Sequence, residues 1–139
     1  MHDLLSTQAR ARGDAIAIAG PGRLPLSYVE LLRRVDLLRA ALHDAGIERG
    51  DRVAYLLPDG ADTAVVALSV ASTAVAAPTN PDLPPQAAGR LLKRLGASAV
   101  IVPEGLADGD IGDIARSLGI ACIGLRSRRS GIAGDVELL

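Results

Sequence analysis

The stretch RVAYLLPDGADTAVVALSVASTAVAAPTNP, residues 52–81, decides the fold. Its opening, Arg52 to Leu57, is a short apolar run bounded by Gly50-Asp51 and by Pro58-Asp59-Gly60, the pattern of a buried strand ended by a turn. A helical pattern begins near Ala61. From Thr63 through Ala77 every residue is small, aliphatic or hydroxylated, so no turn of this helix offers water a charged stripe and both sides want cover. Val75-Ala76-Ala77-Pro78 is again a short apolar run, closed by the Pro78 to Pro81 turn. The helix therefore stops near Thr73 and a second strand follows.

Upstream, Ser27-Tyr28-Val29-Glu30 has the form of a capping box, in which the Ser27 hydroxyl accepts from the Glu30 amide and the Glu30 carboxylate reaches back. Leu31, Val35, Leu38 and Leu42 make one apolar row of the helix that starts there. Arg33, Arg34, Asp36, Arg39 and Asp44 populate its other faces, and Gly46 supplies a left-handed cap. Earlier still, Leu4, Leu5, Gln8 and Ala9 recur at helical spacing before Gly13. Ala15 to Ala19 then alternate as a strand, and Gly20-Pro21-Gly22 turns it toward Leu24 to Leu26, an antiparallel hairpin. Downstream, Pro84-Pro85 opens a helix over Gln86 to Leu95 closed by Gly96, and Ala97 to Val102 is a continuous apolar strand. Ile111, Ile114, Ala115 and Leu118 give a last helix closed by Gly119, followed by a strand from Ile120 to Leu125.

Strands alternating with helices at these spacings call for βαβ crossovers. The fold class is α/β: a mostly parallel sheet with helices on both faces and an N-terminal β-hairpin. Residues 1–125 form one domain, and residues 126–139 read as a frayed tail or linker. The length of 139 residues, with 49% hydrophobic and 22% charged residues, fits one globular unit and excludes disorder as the main state.

The formal net charge of −1 provides no field to hold nucleic acid or anionic lipid. Two Tyr, with no Phe or Trp, nearly exclude base-stacking platforms. The Arg126-Ser127-Arg128-Arg129 run reads as solvated and is assigned no partner. Ser69, Ser72, Thr73 and Pro78 interrupt the charge-free stretch, which argues against a membrane span. The N-terminus lacks the features of a secretory signal. The single cysteine, Cys122, suits a reducing compartment, with the cytoplasm as the default.

Catalytic chemistry is sparse. Neither GxxxxGK[ST] nor GxGxxG nor GxSxG occurs, so no phosphate cradle and no nucleophile elbow is present. His2 reads as part of a mobile terminus, and His43 as a surface residue in the last turn of its helix, where a cation suits the dipole. Cys122 lies in an apolar run and reads as inert packing. Asp108, Asp110 and Asp113 fail the calcium-loop spacing, because Gly119 stands where the bidentate Glu belongs, and they read as an acidic helix start. No catalytic, cofactor-binding or metal-binding residue is assigned.

The segment LPLSYVELLRRVDLLRAALHDAGIERGDRVAYLLPDGADTAVVALSVASTAVAAPTNPDLP resembles the N-terminal region of the adenylate-forming (AMP-binding) superfamily, acyl-CoA synthetases especially. The matching pieces are the (T/L)(S/T)YxEL helix start at Leu26 to Leu31, the GV-x-x-GDRVA turn and strand at Gly46 to Ala54, the LPN or LPD turn at Leu57 to Gly60, and the strand and turn at Ala74 to Pro81. LLKRLGASAVIV is similar to the family's next helix and strand, so the likeness runs from about Asp3 to Val102. Two positions depart from the pattern: Ser72-Thr73 stands where a Gly usually precedes the strand, and Asp59 replaces the common Asn.

The resemblance implies carboxylate activation with ATP as an acyl-adenylate, release of pyrophosphate and transfer to a thiol such as CoA, with magnesium. The family's TSGTTGxPKG loop, YGxTE-like motif, ribose-binding Asp and C-terminal Lys have no counterpart here, and Lys93 occupies none of those contexts. The expectation is an N-terminal fragment or subunit of such a ligase, inactive alone, needing ATP, Mg and CoA only in the complete enzyme. Its partner would be the remainder of the ligase or a second copy of itself. The alternative is a non-catalytic interaction module that homodimerises or binds another chain. A receiver-like signalling domain would need more than Asp59 for its acidic pocket.

Overall fold

The computed structural model describes residues 1–128 and 130–139. Helix α1 (His2–Arg12) leads into a two-stranded antiparallel hairpin of β1 (Ile16–Ile18) and β2 (Leu26–Ser27). Helix α2 (Tyr28–Asp44) follows, then β3 (Arg52–Tyr55), α3 (Ala61–Thr73), β4 (Val75–Pro78), α4 (Pro85–Leu95) and β5 (Ala99–Pro103). The short α5 (Glu104–Ala107), α6 (Asp110–Ser117), β6 (Ala121–Ser127) and β7 (Val136–Leu138) complete the chain. The capping box forms as its sequence dictates: the Ser27 amide and hydroxyl donate to Glu30 Oε2 at 3.1 and 2.9 Å, and the Glu30 amide returns to Ser27 Oγ at 3.4 Å.

The main sheet has the order β4-β3-β5-β6-β7, with β3, β4, β5 and β6 parallel and β7 antiparallel to β6. Period-two alternation sorts its side chains into two layers. Val53, Tyr55, Ala99 and Ile101 face a core closed by Leu31, Val35, Leu38 and Leu42 of α2 and by Val65, Val66 and Val70 of α3. Ala54, Leu56, Val100 and Val102 face the opposite core, closed by Ala88 and Leu92 of α4 and by Ile111 and Ala115 of α6. Helix α3, which carries most of the charge-free run, thus lies against the sheet and α2, and of its residues only Ala71 is exposed. From β3 the chain steps outward to β4, then crosses back over β3 to β5. This reversal places the topological switch point between β3 and β5.

Pro78 is tolerated because β4 is an edge strand. The amides of Val75 and Thr79 bond to the Asp51 and Tyr55 carbonyls at 2.8 and 3.1 Å. Odd-numbered residues therefore bond inward, and the nitrogen of Pro78, which carries no hydrogen, faces outward.

The expectation of a frayed tail after Leu125 is corrected by the structure. Strand β6 runs through Ser127, and Val136–Leu138 adds a further strand with Leu125 opposite Leu138 and Ser127 opposite Val136. Ala133, Asp135 and Val136 are buried. The sequence reading failed here because only Val136 and Leu138 mark the strand, too short an alternation to stand out from a linker. The tie that holds it is remote: the Arg34 guanidinium of α2 pairs with Asp135, 101 positions away. Arg129, the last residue of the basic run, lies outside the described residues.

Candidate functional site

In open α/β sheets, ligands bind beyond the carboxyl ends of the strands where the strand order reverses. At that place a crevice of about 280 Å³ opens between the loop after β3, Pro103 at the end of β5, and Leu125 and Ser127 of β6. Arg23, from the hairpin loop, spans its wall. One guanidinium nitrogen donates to Asp62 Oδ1 at 2.7 Å and another to the Ile132 carbonyl at 2.6 Å. Asp62 Oδ1 also accepts the Gly134 amide at 3.1 Å. Asp62 sits in the first turn of α3, where a carboxylate is favoured by the helix dipole. Thr63 Oγ1 donates to the Pro58 carbonyl at 2.6 Å, and Asp59 stands exposed at the rim.

The order of the parallel strands also matches that of flavodoxin-like folds, whose ligands sit at the corresponding switch point. A receiver-like use needs a lysine near the acidic edge. Lys93 lies exposed in the last turn of α4, at the end of the sheet opposite Asp59.

A family model described as AMP-binding enzyme matches residues 5–126. The chain belongs to the AMP-binding enzyme family. Among curated relatives, the salicyl-AMP ligase / salicyl-S-ArCP synthetase of Mycobacterium tuberculosis is 45% identical over 69 residues, 47% of this chain and 12% of that protein. Two solved structures share the fold: ATP-bound MatB from Rhodopseudomonas palustris, with a TM-score of 0.79 and 21% identity over 88% of this chain and 24% of the other, and a benzoate CoA ligase from Burkholderia xenovorans LB400, with a TM-score of 0.77 and 21% identity over 96% of this chain and 27% of the other. The chain therefore spans a minor part of the length of each.

The crevice of this chain is poor in reactive groups. Among its described lining residues are no histidine, lysine or cysteine. Asp62 is committed to Arg23 and Gly134, and the Thr63 hydroxyl to a backbone carbonyl. Among the described residues no group of three or more His, Cys, Asp and Glu side chains converges as a metal donor set. Asp110 and Asp113 lie in the first turn of α6, and Asp113 pairs with Arg116 at 2.6 Å. Desolvation pushes the Cys122 thiol up from its ordinary range, away from the nucleophilic thiolate.

The reading of His2 as part of a mobile terminus is corrected: it lies in α1 and its Nε2 stands 2.7 Å from Asp36 Oδ1 on α2. His2 and His43 both line a cavity of about 950 Å³ at the amino ends of β3 and β4. That edge lies opposite the switch point. Arg23, Asp62, Arg34 and Asp135 were missed as a connected set, because their partners lie 39 and 101 residues away and no local spacing announces them.

Proposed function

We propose that this chain supplies the N-terminal part of an ATP-dependent carboxylate-activating ligase of the acyl-CoA synthetase type. The complete enzyme would form an acyl-adenylate, release pyrophosphate and pass the acyl group to a thiol such as CoA. The observation that carries the reading is the family match over residues 5–126 in a chain whose switch-point crevice is lined by no histidine or lysine among the described residues and whose one arginine, Arg23, is tied to Asp62. A phosphoryl-transfer transition state needs convergent cations, backbone amides and metal, and in this reading the remainder of the ligase brings them. The chain's own part is a rigid α/β layer on which that remainder packs. The lone, partly buried Cys122 suits a reducing cytoplasm.

The test is isotope exchange between ATP and pyrophosphate, run on this chain with magnesium and a carboxylate panel that includes salicylate and benzoate. The expected outcome is exchange no faster than in a protein-free control. Carboxylate-dependent exchange by this chain alone would overturn the claim that it is incomplete. A TSGTTGxPKG-type loop encoded downstream, or in a neighbouring reading frame, would identify the missing part.

A further inference from the structure

We draw no further inference here: the strongest candidate, the cavity at the amino ends of β3 and β4, is lined by Arg39 and Ser72, whose Nε and Oγ atoms find no hydrogen-bond partner among the described residues, but both atoms are sealed from solvent and so out of a ligand's reach, and its Arg49 is offset by Asp3 and Glu48, so that nothing in the structure shows what would fill it.

Discussion

Gly112 shows how far one residue can be fixed by its neighbour. It does not have positive φ, so its torsions suit any residue, yet a Cβ built there runs into the Ala107 carbonyl oxygen and backbone carbon. Glycine is needed for space, because α6 begins directly against the end of α5. Gly112→Ala has to push the two helices apart inside a packed layer that includes Ile111 and Ala115. The expected cost is about 2 kcal/mol, read as a lower urea midpoint with unchanged slope; an unchanged midpoint would contradict the close approach. By contrast, partial burial is the largest influence on Cys122 and pushes its thiol up, with Arg116 opposing and Asp108 adding.

At the scale of the element, α2 is the most fully determined part of the chain. Its start is fixed by the Ser27–Glu30 box and its inner face by a row of leucines and Val35. The backbone and side-chain hydrogen bonds from Ser27 hold the Glu30 carboxyl below its ordinary value of 4.5, with Arg34 and Arg33 adding to the effect. A depressed folded value means that the stabilisation is complete above the unfolded value and is lost as pH falls through the folded one. Wild type should therefore exceed Glu30→Gln in stability at neutral pH, and the gap should close progressively below about pH 4.5. Urea titrations of both proteins across that range check this; a gap independent of pH would show that the carboxylate's charge is not what caps the helix.

Such elements were legible because each is written locally. The box, the leucine row, the left-handed Gly96 after α4 and the charge-free run of α3 carry their own spacing, and the structure has them where the spacing requires. Strand β7 and the Arg23–Asp62 and Arg34–Asp135 ties were not legible, since pairing between distant polar residues leaves no periodic trace. The candidate crevice was equally hidden: Leu57 to Gly60 reads as a turn, and only the crossing of the chain over β3 makes it the rim of a switch point.

For the molecule as a whole, the segment after β6 acts as a strap. It is tied to α2 through Arg34 and Asp135, to the hairpin and α3 through Arg23, Ile132, Asp62 and Gly134, and to β6 through the β7 ladder. The Asp135 side chain is 6% exposed. Removing its guanidinium strands a buried charge, a loss of about 3–5 kcal/mol. Arg34→Met should thus unfold the chain at markedly lower urea, while Arg34→Met with Asp135→Asn should recover much of the difference. Hydrogen exchange should report the damage first in β7 and β6; a uniform change across the sheet would mean that the strap is not a separate unit.

The outward face of Pro78 bears on how the protein behaves when crowded or warmed. A bare sheet flank is a template for cross-β growth, since each added strand finds a row of free amides and carbonyls. Along β4 that row is broken: the outward amide belongs to Ala76, and the next outward nitrogen is the imide of Pro78. A strand arriving there finds acceptors with too few donors between them, so this flank is a poor seed for fibrils.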